Sequence, residues 1–524
     1  MAASGALLLA QTPSFRTTTR LIQVNVIVTD HHGDPVTGLT KDDFTLLDQG
    51  RQQKIVFFSE QNGTNPTAAP EPRESKLFSN RAEEKPGAAS SATVVLFDRL
   101  NTKLSETSFA RERLLRFLEG IRPDDRLALY GLSDRLVVLH DFTEDPAALV
   151  RALQQYNPVQ SATTAATTFS ESNTGHPGMD WFQNKGDQKM SDTLMIGRVE
   201  MTAQALEAIA HHLAGLPGRK NLVWVSGAFP ISIGYLQKRI MGARPEKDDY
   251  AREVETAARA LSNANVAIYP VDAHILGTLG GIYDASKAPK PGYGMLQTTV
   301  PLPETQSITE LATMDTLAEM TGGRVFSANN DIEGMVRRAI DDSKFTYTLA
   351  YYPDHDKWNG EFREIKIRVK QPGVEVRARK GYLAIAENAP APAAMSITQV
   401  LAQPVESSEL GISATVERAG SDQFRFHMRI DAAGLKFEQK DGRANAALEV
   451  QWVQLDAGGH DVGSHGQMLT FRLSPETFAS TERDGLKISF AETIDARATE
   501  LRFAARDPVT GISGSVYIPV RSLK

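Results

Sequence analysis

The sequence predicts a chain of mixed class: a doubly wound α/β unit with a mostly parallel sheet, inserted in a β-sandwich and followed by an all-β sandwich. Three observations carry this. The apolar runs TVVLFD (93–98), NLVWVSG (221–227) and NVAIYPVD (265–272) alternate with helix-length amphipathic stretches, as strands buried on both faces do. Outside that region LIQVNVIV (21–28), REIKIRVK (363–370) and FRFHMRID (424–431) alternate apolar and polar residues, the period of half-buried strands. A length of 524 residues exceeds what one hydrophobic core organises.

Taken in order, residues 15–61 form a small β unit. LIQVNVIV is followed by the turn-rich DHHGDPVTGL (30–39), then by two strands around Gly50. Residues 62–92, rich in Pro, Ala, Ser and charge, read as a linker. The α/β unit spans 93–344. Ser105 to Gly120 is an amphipathic helix with Ser105 as its expected cap. DRLALYGLS (125–133) and RLVVLHDF (135–142) are neighbouring strands, and Asp145-Pro146 opens the next helix. Met201 to Leu216 is helical and is stopped by Pro217-Gly218; a further helix covers about 248–263. Two more lie near 309–321 and 331–343, around a short strand RVF (324–326).

After Lys344 the β period returns in FTYTLAYYP (345–353), REIKIRVK and VEVRARKGY (374–382). Two or three strands cannot bury a core alone. Residues 15–61 and 345–384 are therefore expected to pair as one discontinuous sandwich around the α/β unit. A second linker (385–395) leads to residues 396–524, whose short alternating strands and Gly, Asp and Asn turns suit an all-β sandwich.

Composition narrows the function. The net charge of −7 offers no footprint for nucleic acid. The absence of cysteine excludes disulfides, thiolate metal sites and a cysteine nucleophile. Residues 1–14 contain ALLLA (6–10), which reads either as the remnant of a secretory signal or as an irregular start, because a basic n-region and a longer apolar core are missing. No later run approaches the ~20 apolar residues of a membrane span.

The segments TVVLFDRLNT, PDDRLALYGLSDRLVVLHDFTED, NLVWVSGAFP, NVAIYPVDA and LAEMTGGRVF, in that order, resemble a von Willebrand factor type A domain. The flanks LIQVNVIVTDHHGDPVTGLTKDDFTLLDQGRQQKIVFF and YTLAYYP with GEFREIKIRVKQPGVEVRARKGY resemble the acidobacterial-type "VWFA-related" proteins. The resemblance covers residues 18–385. It implies a Rossmann-like sheet and a secreted, periplasmic or cell-envelope setting.

It also implies a place to look for Mg²⁺. Such domains hold the ion with an Asp-x-Ser-x-Ser loop, a Thr from a second loop and an Asp-Gly after the fourth strand. Here Asp98 occupies the first position, Leu100 replaces the first Ser, Thr102 keeps the second hydroxyl, Thr202 (or Glu200) fills the Thr place, and Ser226-Gly227 replaces Asp-Gly. Hard-cation chemistry requires more oxygen charge than this set supplies. The site is expected to be degenerate: either it holds Mg²⁺ weakly, or Asp98 merely accepts backbone N–H groups of its loop.

Recognition is expected at the carboxyl ends of the sheet strands, where open parallel sheets bind ligands. Three long segments, 157–197, 228–247 and 273–308, fall there and carry the candidate partner-binding residues Trp181, Phe182, Tyr235, Tyr283 and Tyr293, with Asp272 beside them. The bland alternative is that each ring packs its own loop. His211, His212 and His274 lack zinc spacing, and Asp124-Asp125 and Asp341-Asp342 read as solvated or capping pairs. No nucleophile elbow, HExxH helix or phosphate loop is present. The expected function is non-enzymatic binding or adhesion toward a protein or glycan. An envelope scaffold with an inert α/β unit is the alternative, and a hydrolase with a site assembled from loops is a third.

Overall fold

A computed structural model of the chain describes residues 21–62, 77–81, 92–157, 194–227, 250–273, 314–385 and 395–523, apart from 123, 124, 195, 196, 217, 316, 328, 329, 343 and 356. Residues 1–14, His274 and five of the candidate binding residues (Trp181, Phe182, Tyr235, Tyr283 and Tyr293) lie outside them.

The α/β unit is built on a five-stranded sheet in the order Val266–Asp272, Lys220–Ser226, Ala92–Asp98, Leu127–Leu132, Leu136–Thr143. The first four strands are parallel and the last, at the edge, is antiparallel. Alternation explains why the strands read as unbroken apolar runs. Val94 and Leu96 point into one core with Leu206, Ile209, Trp224 and Leu261; Val95 and Phe97 point into the other with Leu114, Phe117, Val225 and Val336. Helices 197–213, Tyr250–Asn263 and 317–321 supply the first face, and Leu104–Glu119, Pro146–Gln155 and Ile332–Asp341 the second.

Two helix boundaries differ from expectation. The helix after Asp98 begins at Leu104, so Lys103, not Ser105, stands at the cap and gives no side-chain bond. The helix carrying Thr202 extends back to at least residue 197. Polar residues in the first turn hid its start. Asp145 caps its helix as expected, accepting from the Ala147 N–H at 2.9 Å ahead of Pro146. In place of a strand at 324–326, Phe326 forms a single parallel bridge to Val271.

Ile22–Thr29 lies between Phe345–Tyr351 and Glu375–Ala378 in one antiparallel sheet, and Ile55–Asn62 completes it. Phe44–Asp48, Asn359–Val369, Gly381–Ile385 and Arg51–Gln53 make a second. Val24, Val26 and Tyr347 of the first sheet share a core with Leu46 and Ile365 of the second. Strands more than 300 residues apart in sequence thus lie side by side.

The C-terminal region has two antiparallel sheets. One contains Gln423–Ile430 between Leu486–Thr493 and Ile412–Arg418. The other contains Arg443–Leu455, Glu500–Arg506 and Ser513–Pro519, with Asp461–Leu473 along its outer edge. Phe426, Trp452 and Phe503 meet between the two. An unexpected strand joins them: Leu77–Ser79, from the segment read as a linker, pairs with Ser413–Thr415. Asn80 fixes it. Its Nδ2 donates to Ser407 O (2.7 Å) and Leu410 O (2.9 Å), and its Oδ1 accepts from the Ile412 N–H (2.7 Å). Three residues are too short a run to announce a strand. Among the described residues no helix is long and apolar enough to cross a membrane.

Candidate functional site

The chain leaves Ala92–Asp98 for the neighbouring strand on one side and later returns to Lys220–Ser226 on the other. The connections diverge at the carboxyl ends of these two strands, which is the topological switch point where α/β sheets hold ligands. Asp98 and Ser226 end the two strands, and Asp272 ends the next, in register with Ser226. Three of the sequence-predicted residues therefore share one edge.

Asp98 is fully buried and both of its carboxylate oxygens accept hydrogen bonds. Oδ1 accepts from the Asn101 N–H at 3.0 Å; Oδ2 accepts from Asn101 Nδ2 (2.8 Å), Trp224 Nε1 (2.9 Å) and Ser226 Oγ (3.0 Å). Burial pushes its pKa up, against the lowering pull of these hydrogen bonds from Asn101, Trp224 and Ser226. Asn101 reaches further. Its Nδ2 also donates to Thr202 Oγ1 at 3.0 Å, and its Oδ1 accepts from Arg198 Nε and Nη2, both at 3.2 Å. Thr202 donates to Arg198 O (2.7 Å), and Thr102 Oγ1 donates to Asp98 O while accepting from the Gly227 N–H (2.8 Å). The side chains of Asp98, Thr102, Thr202 and Ser226 do converge, but on each other and on Asn101.

This arrangement does not fit Mg²⁺. A hard cation needs oxygen lone pairs aimed at a common point. Here Thr102 and Thr202 both donate to carbonyls and accept from N–H groups, and both Asp98 carboxylate oxygens accept from neighbouring N–H and O–H groups. Leu100, fully buried, brings no ligand at all. The Arg198 guanidinium already places a fixed positive charge on the far side of Asn101. Among the described residues no group of three or more His, Asp or Glu side chains is arranged for a metal.

Asn101, Arg198 and Trp224 went unnoticed in the sequence. Their signals are periodic. Trp224 and Ser226 are two apart on a strand and so share a face, and Arg198 and Thr202 are one helical turn apart. The histidines and paired acids have structural work. His211 Nδ1 meets Glu409 at 2.9 Å, and His212 Nδ1 lies 2.8 Å from Glu406 O, so both join the α/β unit to the C-terminal region. Asp125 is not solvated: its buried carboxylate pairs with Arg337 and with Lys344 (3.2 Å). Asp342 takes a two-pronged contact from Arg377 (2.5 and 2.7 Å), tying the last α/β helix to the first β unit.

Among solved structures the chain is similar to a von Willebrand factor type A protein from Catenulispora acidiphila, at 8% identity over 63% of this chain and 74% of that one, with a TM-score of 0.26. The α/β unit resembles a type A domain. Two further matches are an aerotolerance-related membrane protein from Bacteroides fragilis (11% identity, 48% of this chain, 98% of that one, TM-score 0.23) and the vWF domain of the type V pili tip protein Mfa5 from Porphyromonas gingivalis (16%, 26%, 37%, TM-score 0.15). No family model and no curated protein matches the sequence.

Proposed function

We propose that the protein is a non-enzymatic binding or adhesion-type protein of the secreted or envelope compartment. In this reading it recognises a protein or glycan through the carboxyl-end face of its type A domain without a bridging metal. The observation that carries this is the closed Asp98–Asn101–Arg198 network at the switch point. In this reading the network stands where a metal-ion-dependent adhesion site would hold its ion, with the Arg198 guanidinium supplying the fixed positive charge. The degenerate site is then a structural keystone for the face, and the contacts to a partner come from the segments that carry Trp181, Phe182, Tyr235, Tyr283 and Tyr293, together with Asp272. The first β unit is a two-piece sandwich into which the type A domain is inserted, and the C-terminal region is a second sandwich.

The test is capture of envelope proteins and glycans by the full chain with and without EDTA, alongside a Trp181→Ala/Tyr293→Ala double variant. Binding that survives EDTA and weakens in the double variant, with an unchanged melting temperature, supports the proposal. Binding abolished by EDTA, or a double variant that melts far below the parent yet still binds, overturns it.

A further inference from the structure

A second site lies at the opposite edge of the type A sheet. Ala258, Arg259, Ser262, Asn263 and Asn265, at the end of one helix and just before the strand Val266–Asp272, face Gln23, Trp358, Phe362, Arg379 and Tyr382 of the first β unit. Between them is a cleft of about 430 Å³, within the range of small-molecule sites. Asn25 Nδ2 donates across the junction to Asn265 Oδ1 at 2.6 Å, and the Lys380 N–H donates to Glu319 O at 3.0 Å, so both walls are held in place.

The charge of this cleft is one-sided. Two guanidiniums, Arg259 and Arg379, line it, and among the described residues no aspartate or glutamate does. Arg379 Nη2 donates to Gln23 O at 2.6 Å, but its Nε is buried with no acceptor, and no carboxylate pairs with Arg379 among the described residues. Burial pulls its pKa below the usual arginine value, opposed by the hydroxyls of Tyr351 and Tyr382. Withdrawing a guanidinium from water without a counter-charge is costly, and proteins otherwise pair such groups. Elsewhere this chain does so: Arg377 has Asp342, Arg337 has Asp125 and Arg363 has Asp48. Arg379 departs from that pattern, as does the buried Arg219, whose Nη2 donates to the Tyr269 hydroxyl and to Gly322 O; of these two, Arg379 is the one that lines the cleft.

The rest of the lining is apolar and aromatic. Trp358 lies 6.3 Å from Tyr382, ring to ring, with Phe362, Met320 and Ile22 around them. Tyr382 is anchored from behind by its hydroxyl, which donates to the buried Asp48 carboxylate at 2.9 Å. A guanidinium fork matches a carboxylate or phosphate, and a fixed aromatic wall matches a flat apolar body.

We infer that this cleft binds a small organic anion, a carboxylate or phosphate monoester carried on a flat apolar body, with Arg379 and Arg259 on its charge and Trp358 against its plane. Occupation would tie the type A domain to the first β unit, since each supplies one arginine.

Titration calorimetry and thermal melting of the full chain test this with benzoate, phenyl phosphate, inorganic phosphate and benzyl alcohol. Benzoate or phenyl phosphate should raise the melting temperature and bind more tightly than inorganic phosphate and benzyl alcohol; which of the two is preferred identifies the head group. Arg379→Gln should weaken that binding about tenfold or more, the worth of a charged hydrogen bond. Arg379→Lys, which keeps charge but not the fork, should fall between. Arg259→Gln repeats the test from the other wall should the Arg379 variants fail to fold. No binding of either aromatic anion at millimolar concentration, equal binding by benzyl alcohol, or undiminished binding in folded arginine variants overturns the assignment.

Discussion

Asn101 Nδ2 donates at once to Asp98 Oδ2 (2.8 Å) and to Thr202 Oγ1 (3.0 Å), so one amide joins the end of the strand Ala92–Asp98 to the helix that carries Thr202. The link is short, buried and satisfied on both sides. A network of this kind rigidifies a site when complete and is costly when broken.

Asn101→Ala should therefore cost about 2–4 kcal/mol, because Asp98, Thr202 and Arg198 all lose a partner in a buried place. Urea unfolding measures it. In the parent, added MgCl₂ should leave the melting temperature unchanged, since a ligand stabilises only as far as it binds the folded state. A variant as stable as the parent, or a parent that Mg²⁺ stabilises, would show that the network is not the keystone.

Asn80 holds the Leu77–Ser79 strand to the C-terminal sheet through three hydrogen bonds. Asn80→Ala should destabilise the C-terminal region by about 2–3 kcal/mol, since the Ile412 N–H and two carbonyls lose their partner. Hydrogen exchange at Ile412–Arg418 should accelerate, while exchange at Ala92–Asp98 stays as it was.

His211 and Glu409 make the junction between the α/β unit and the C-terminal region sensitive to pH. Burial alone would lower the His211 pKa, but the hydrogen bond and charge of Glu409, helped by Glu207, raise it above its ordinary 6.5. A raised folded value means that the stabilisation is fully present below pH 6.5 and is lost as pH rises through the folded pKa. Glu409→Gln should thus lower the melting temperature in mildly acidic buffer and have little effect at alkaline pH. An equal effect at both extremes contradicts the assignment.

Asp125 works with the opposite sign. Its burial raises the pKa, yet the hydrogen bond and charge of Arg337, with Lys344, bring it below the ordinary 3.8. Its stabilisation is present above pH 3.8 and disappears as pH falls through the lowered folded value. Arg337→Met strands a buried carboxylate and should cost about 3–5 kcal/mol. Adding Asp125→Asn to that variant should recover part of the loss, as read by denaturant titration at neutral pH.

Pairing of Ile22–Thr29 with Phe345–Tyr351 means that neither β segment completes a sheet alone. Residues 90–344 expressed separately should melt cooperatively, whereas residues 1–61 should not. Circular dichroism and proteolysis distinguish the two outcomes, and a folded 1–61 fragment would count against the pairing.

What could be read from the residues in order was local. Runs such as TVVLFD and NLVWVSG announced strands buried on both faces, and the placement of Asp98 and Ser226 at their ends followed from the same pattern. Periodicity reports a residue's immediate neighbours in the chain. It could not report that Leu77–Ser79 crosses to Ser413–Thr415, because three residues carry no period, nor that Asn101 would stand between Asp98 and Thr202. Those facts depend on side chains 101 and more than 330 residues apart arriving at hydrogen-bond distance. Register and burial, which set them, are properties of the assembled sheets and appear only when the whole chain has closed on itself.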